Sequence, residues 1–189
     1  MLTEINHHHF ILNKPFGYLY QFVCENPKKK LIKELYEFPE GTMAIGRLDE
    51  KSEGLLLLTT DGKVSEEIRS KKIEKEYFVQ VDGDVTATAI QQLQEGVEIG
   101  IHGVKYVTLP CAVKKLNVIP DFPTRSKKIR DDRHGPTSWI SVIITEGKFR
   151  QVRKMTAAVG FPTLRLVRVR IGEFTLGDLH QGEVKEIEL

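Results

Sequence analysis

Gly46-Arg47-Leu48-Asp49-Glu50-Lys51-Ser52-Glu53-Gly54-Leu55-Leu56-Leu57-Leu58-Thr59-Thr60-Asp61-Gly62 is the stretch whose reading decides the fold. It sets an arginine and an aspartate two positions apart, directly before four leucines that have to be buried. In an extended backbone, residues two apart project the same way, so Arg47 and Asp49 can enter one cleft. On spacing alone the pair reads equally as an exposed loop with a surface ion pair, worth about 0–1 kcal/mol. Leu55 to Thr60 reads as a buried strand, and Met43 to Ile45 as a second one on the other side of the loop. A core of that kind would hold the loop rigid, as a catalytic carboxylate requires.

Outward from this block, Phe10 to Asn13 is a short apolar strand ended by Lys14-Pro15. Leu31, Ile32, Leu35 and Phe38 recur at helical spacing, which predicts a helix over Lys28 to Phe38 with Pro27 in its first turn. Asp61-Gly62 is a turn, followed by a short polar helix over Lys63 to Ser70. Tyr77 to Val81 is a strand ended by Asp82-Gly83. Thr86 to Glu95 is a helix, with Gly96 suited to its C-terminal cap. Val97 to Val118 reads as strands of a meander and Pro120 to Pro136 as a basic loop. Trp139 to Thr145 is a strand, Lys148 to Val159 a helix, and Leu164 to Phe174 another strand. Strands in runs with helices between them predict an α+β fold, a mixed, mostly antiparallel central sheet flanked by helices. At 189 residues the chain can bury a substantial core, as one domain over 1–189 with room for two lobes around a cleft.

Hydrophobic residues make up 40% of the chain and charged residues 29%, the composition of an ordinary folded protein. Met1 to Asn6 lacks the basic start and apolar core of a signal peptide. The longest apolar run, Leu55 to Leu58, falls far short of the about 20 residues that cross a bilayer. Cys24 and Cys111 form neither a metal-ligand spacing nor a disulfide framework, which predicts a reducing, cytoplasmic setting. His7-His8-His9 cannot all face one site from a strand, and no carboxylate or cysteine stands near at ligand spacing, so no metal is expected. The absence of a glycine-rich phosphate loop argues against a nucleotide cofactor. The net charge of +2 conceals an asymmetry: Lys114 to Arg170 carries 14 Lys/Arg and 4 Asp/Glu, a balance of +10, against −8 elsewhere. One face built for a polyanion follows from that division.

The block from Gly46 to Gly62 resembles the active-site motif of the RNA pseudouridine synthases, in the branch named for the ribosomal small-subunit enzyme, the RsuA family. The resemblance implies that Asp49, in the Gly-Arg-Leu-Asp tetrad, is the catalytic residue. Arg47 beside it would hold phosphate and fill the space left by the flipped base. Lys75-Glu76-Tyr77-Phe78-Val79 is similar to a second element of the family, where a tyrosine after a basic residue stacks on the target uracil. Tyr77 is the match, although by pattern alone it is a strand aromatic of the core. Glu146-Gly147-Lys148-Phe149-Arg150-Gln151-Val152-Arg153-Lys154-Met155 resembles a third, in which the basic residue after Gln-Val pairs with the catalytic aspartate, here Arg153. On a helical wheel Phe149, Val152, Met155, Thr156 and Val159 share the core face, with Arg153 at its border. Arg150 and Lys154 lie on the opposite side, available to RNA. In Phe161 to Gly172 the alternation of Arg165, Arg168 and Arg170 with apolar residues predicts a strand with one wet face. The family's segment there contributes an apolar residue that packs on the base, and Leu166 is the match. Arg125, Lys127, Lys128, Arg130 and Arg133 of the basic loop would contact RNA phosphates, or belong to a surface loop with no such role.

The resemblance runs from Phe10 to the C-terminus, which leaves no room for the small S4-type RNA-binding domain that many relatives carry. With Pro136-Thr137-Ser138-Trp139 and Gly160-Phe161-Pro162-Thr163-Leu164-Arg165-Leu166, this is most similar to the large-subunit enzymes of the branch. It implies isomerisation of one uridine in 23S ribosomal RNA to pseudouridine. The implied enzyme is a monomer with no metal, no organic cofactor, no protein partner and no membrane. The N1–C1′ bond must break, the uracil rotate, and C5 join C1′, after the uridine leaves its stack at a cost of a few kcal/mol. Asp49 would be ionised, either attacking C1′ or helping to remove a proton from it. The alternatives are a non-catalytic RNA-binding ribosome-assembly factor on the same scaffold, a synthase specific for 16S ribosomal RNA, and a small-molecule enzyme using Asp49 as an acid or base. Asp49, Tyr77 and Arg153 together argue against the assembly factor, and the +10 segment argues against a small substrate.

Overall fold

Four leucines in succession cannot alternate between core and water, so the strand that carries them must be covered on both faces. Glu53–Thr59 is accordingly buried along its whole length. A computed structural model describes residues 6–189. In chain order its strands are β1 (His9–Lys14), β2 (Tyr18–Leu19), β3 (Lys30–Leu31), β4 (Met43–Ile45), β5 (Glu53–Thr59), β6 (Lys75–Asp82), β7 (Glu98–Ile101), β8 (Val104–Val107), β9 (Ala112–Lys115), β10 (Thr137–Ile144), β11 (Thr163–Ile171), β12 (Phe174–Thr175) and β13 (Val184–Ile187). Helix α1 (Gly62–Ser70) follows β5, α2 (Ala87–Glu95) follows β6, and α3 (Gln151–Ala158) follows β10. The fold is α+β, and among the strand pairs described here only β2 with β3 is parallel.

The chain divides into two compact units, one made of residues up to Lys72 together with Leu176–Leu189, the other of Ile73–Thr175. In the first, β1 lies between β13 and β5, and β4 also pairs with β5. The register sets Phe10 opposite Leu58 and Leu12 opposite Leu56. These four share a core with Ile32 and Leu48. Each fully buried leucine stabilises the unit by about 1.5–3 kcal/mol relative to exposure. Helix α1 packs on β4 and β5 and is capped by Asp61, whose carboxylate accepts the Lys63 N–H at 2.8 Å.

The helix expected over Lys28 to Phe38 does not form. Lys30–Leu31 pairs with β2, and a single 3-10 turn, Ile32–Glu34, follows it. Glu34 turns back to accept the Leu31 N–H at 2.8 Å. Beyond the turn, Tyr36 and Phe38 pack edge-on with each other at 5.0 Å, and Phe38 meets Phe10 at 5.5 Å and Phe22 at 5.4 Å. The apolar residues at helical spacing serve the first unit's core instead of a helix face, Ile32 buried in it and Leu35 and Phe38 packed against it.

In the second unit the antiparallel order is β12–β11–β6–β10–β9. One sheet face carries Val79, Val81, Ile140, Val142 and Leu166 into a core with Val85, Ala89 and Leu93 of the α2 region and Val152 and Met155 of α3. Thr86 caps α2 by accepting the Ala89 N–H at 3.2 Å, and Gly96 ends it. The other sheet face is covered by the basic loop. Phe122 lies 6.2 Å from Phe78 and 5.7 Å from Trp139, and the Arg165 guanidinium sits 5.4 Å from its ring.

Three further expectations for this unit are corrected. The stretch Val97 to Val118 is not one meander: β7 and β8 form their own two-stranded sheet, while β9 joins β10. Helix α3 begins at Gln151 rather than Lys148, because Arg150 takes a left-handed conformation at φ 51°. Phe149 therefore leaves the core stripe and is 47% exposed, and Arg150 is not on the helix. Nor do Arg165 and Arg168 mark a wet face, since both are buried. Two β-bulges in β11 break its alternation, and Arg165 is drawn under the loop, donating to the Pro123 carbonyl at 2.8 Å. Among the described residues no helix is long and apolar enough to cross a membrane.

Candidate active site

The Arg47–Asp49 pair owes its presentation to the leucine between them. Leu48 is 4% exposed and held in the first unit's core, while Arg47 is exposed and Asp49 half-buried. With the middle side chain anchored inward, its neighbours in an extended segment turn outward together. The loop is then fixed at its far end. Ser52 N–H donates to the Asp49 carbonyl at 2.9 Å, which closes a turn. Gly17 N–H donates to the Glu50 carbonyl at 2.8 Å, and Lys29 pairs with the Glu50 carboxylate at 2.7 Å. Gly46 and Gly54 bracket the segment with φ of 78° and 103°, a region that side chains disfavour. Close by in the ladder, Lys14 is wholly buried opposite Gly54 and donates to the carbonyls of Pro15 and Tyr18 at 3.0 and 2.8 Å.

In the second unit, Tyr77 stands on β6 on the face shared with Val79 and Leu166, packed against the core yet partly accessible. Its cross-strand neighbour on β11 is Arg168, 4% exposed. Lys75, two residues before Tyr77 and so on the same face, is half-buried and donates to the Thr145 carbonyl at 3.4 Å. Burial holds the Lys75 ammonium below the usual lysine range, and the positive charge of Arg168 adds to the depression. Tyr77 thus has one cation across the ladder and another two residues before it; Lys75 is the basic residue of the motif itself, whereas Arg168 lies outside it. The signal for Lys75 was its place two residues before Tyr77. Arg168 had none, because the bulges hide its register.

Arg153 is half-buried on α3, whose first turn is set by Gln151. The Gln151 side chain accepts the Lys148 N–H at 3.0 Å and donates to Glu146 at 2.6 Å. Glu146 also accepts the Leu109 N–H at 2.9 Å and the Tyr106 hydroxyl. That bond to Glu146 raises the Tyr106 hydroxyl above its ordinary range, with burial adding to it. The glutamine of the Gln-Val pair is therefore a fastening for the loop that precedes α3. Leu166 is 4% exposed within the core cluster.

The basic loop is less free than its composition suggests. Arg130 pairs with Asp82 and donates to the His134 carbonyl at 2.7 Å. Arg133 pairs with Asp131 at 2.6 Å, and Arg125 donates to the carbonyls of Lys127 and Leu164 at 2.6 and 3.3 Å. Lys127 and Lys128 are exposed. Cys111 donates to the Leu93 carbonyl at 3.2 Å, and burial above all pushes its thiol up to about 11, so it is no nucleophile at neutral pH. Among the described residues no three His, Cys, Asp or Glu side chains gather as metal ligands.

Residues 8–158 match the RNA pseudouridylate synthase family, and the chain belongs to it. It is an isomerase that converts uridine in RNA to pseudouridine. Among curated proteins it is 41% identical, over 95% of its length and 73% of the relative's, to ribosomal large subunit pseudouridine synthase E of Vibrio parahaemolyticus. It is 43% identical, over 92% of its length and 91% of the relative's, to the protein of the same name from Xanthomonas campestris pv. campestris. The crystal structure of a pseudouridylate synthase superposes with a TM-score of 0.75 at 30% identity, covering 99% of this chain and 73% of that one.

Proposed function

We propose that this protein isomerises one uridine of 23S ribosomal RNA to pseudouridine, acting in the cytoplasm as a monomer. The large-subunit names of the relatives at 41–43% identity support the choice of RNA. The observation that supports the chemistry is the Arg47–Leu48–Asp49 segment, in which Leu48 is buried between an exposed arginine and a half-buried aspartate.

Asp49 acts on C1′ of the target nucleotide as its ionised carboxylate. Arg47 takes the vacated space in the RNA stack and a neighbouring phosphate. Tyr77 stacks on the extruded uracil, an interaction worth roughly 1–3 kcal/mol per base. Arg153 pairs with Asp49 through its planar fork, which orients the carboxylate while it remains charged. Leu166 packs beneath the base, and Arg150, Lys154 and the exposed lysines of the basic loop hold the backbone. Arg168, across the ladder from Tyr77, and Lys75, two residues before it on the same strand, supply positive potential for the RNA.

The test is to incubate the protein with 23S transcript and map pseudouridine by carbodiimide modification and primer-extension stops. One new stop, absent with Asp49→Ala, is the expected result. No stop on 23S transcript or on immature large subunits, or a stop on 16S ribosomal RNA in its place, would overturn the assignment.

A further inference from the structure

Phe149, His102 and Lys154 come together on the surface of the second unit, with Lys148 next to Phe149 in the chain, in a way the catalytic residues do not require. His102 is at the tip of the β7–β8 hairpin, and its ring stacks on Phe149 with centroids 5.4 Å apart and planes 24° from parallel. Both rings are exposed, Phe149 by 47%. Burying one exposed aromatic ring against another does not account for the exposure that remains, because each would bury more of itself by turning inward.

The backbone holds them outward. Among the described residues, His102 at φ 49° and Arg150 at φ 51° are the two non-glycine positions with positive φ. One presents the histidine, and the other expels Phe149 from the helix that its spacing predicts. Strained conformations of this kind gather where a ligand is recognised. Lys154 ties the two elements together: its ammonium donates to the Gly100 carbonyl at 2.5 Å and lies 5.1 Å from the centre of the Phe149 ring. Lys148 lies 4.8 Å from the centre of the Tyr106 ring. The nearby carboxylates are engaged, Glu146 by Tyr106, Leu109 and Gln151, and Glu98 by Lys105 at 2.9 Å. What remains is an aromatic stack with the Lys154 ammonium against it and Lys148 close by in the chain.

We infer that His102 and Phe149 form a platform on which an unpaired base of the substrate RNA, other than the uridine being isomerised, extends the stack, while Lys148 and Lys154 meet the adjoining phosphates. The inference rests on the reading of ribosomal RNA as substrate. A flat, exposed pair of rings accepts any base without reading its edge, and the cations complement its backbone. A protein partner would instead bury the rings in an apolar patch, where lysines such as Lys148 and Lys154 are depleted.

The test uses the full chain and 23S transcript at fixed salt, with binding measured in the Asp49→Ala background so that the RNA is not altered. Phe149→Ala should weaken binding about 5- to 150-fold, the range that loss of one stacked base gives. Phe149→Trp should keep the affinity, and Phe149→Leu should lose it as Phe149→Ala does. In the active enzyme, KM for the RNA should rise with Phe149→Ala by a similar factor. Wild-type affinity in Phe149→Ala would overturn the platform, as would full affinity in Phe149→Leu, which would mean mere apolar contact. So would a Phe149→Ala defect confined to ribosomal proteins. Phe149-dependent RNA binding without any pseudouridine formation would leave this inference standing and sink the catalytic reading. Pseudouridine formation with unchanged KM in Phe149→Ala would do the reverse.

Discussion

Between Arg47 and Asp49 sits a side chain with no chemistry of its own, and it decides where both of them point. Leu48→Ala should therefore lower turnover without touching a reacting atom, since the loop loses its anchor. Gly54 makes the same argument through the backbone. At φ 103° any side chain is strained, so Gly54→Ala should destabilise the protein by about 1–3 kcal/mol, read as a fall in Tm of roughly 2–12 °C. Tyr77→Ala should lower kcat/KM by about 5- to 150-fold, the worth of one stacked base, with RNA turnover assayed at low substrate. Unchanged kcat/KM would remove Tyr77 from the uracil.

Elements respond to pH through their caps. The Lys63 N–H bond, ahead of the smaller opposing effect of desolvation, holds the Asp61 carboxyl below its ordinary 3.8 at the start of α1. The folded state releases this proton more readily than the unfolded chain, so the cap's contribution is fully present above pH 4 and is lost as pH falls through the depressed value. Asp131 behaves alike, chiefly because of its bond to Arg133. Asp61→Asn should flatten part of the acid limb of stability against pH, followed by thermal melts from pH 5 down to 2. An unchanged acid limb would show that the cap carries no net charge effect.

The same scale shows what the chain discloses. Strands β1, β4, β5, β6, β10 and β11 are readable because their apolar runs are short and bounded by turn residues. The segment after Lys28 is not, since the spacing that would make one face of a helix equally lets Ile32, Leu35 and Phe38 reach the first unit's core without one. The start of α3 is hidden because an arginine at φ 51° carries no compositional mark, as a glycine would. At the site, motif residues are readable by type and spacing. Lys75 is legible two residues before Tyr77, whereas Arg168 becomes its neighbour only through the register of β6 and β11, which a bulge shifts.

For the whole molecule, the asymmetry of charge is real in the sequence and narrower on the surface. Of the 14 cations between Lys114 and Arg170, Arg165 and Arg168 are buried. Lys115, Arg130, Arg133 and Arg170 are paired with Asp84, Asp82, Asp131 and the pair Glu74 and Glu76. RNA affinity should therefore depend on few positions. Lys127→Glu with Lys128→Glu should weaken binding at low salt and flatten the plot of log K against log salt by roughly 0.7–0.9 per lost phosphate contact. Arg133→Ala should move that slope little, because its charge is already matched by Asp131 at 2.6 Å. Equal slopes for the lysine reversals and the wild type would exclude the loop from the RNA.

The closing strand of the first sheet also sets an order of assembly on the ribosome. Val184–Ile187 pairs with His9–Lys14, yet the whole of Ile73–Thr175 is translated between them. The inserted unit has its own core and can mature while the earlier sheet waits with an open edge. During that interval the backbone donors and acceptors of His9–Lys14 on that side are available to any nascent strand nearby. A slow stretch of synthesis after Thr175 would prolong the exposure, so the timing of Leu176–Leu189 bears on yield as much as its sequence does.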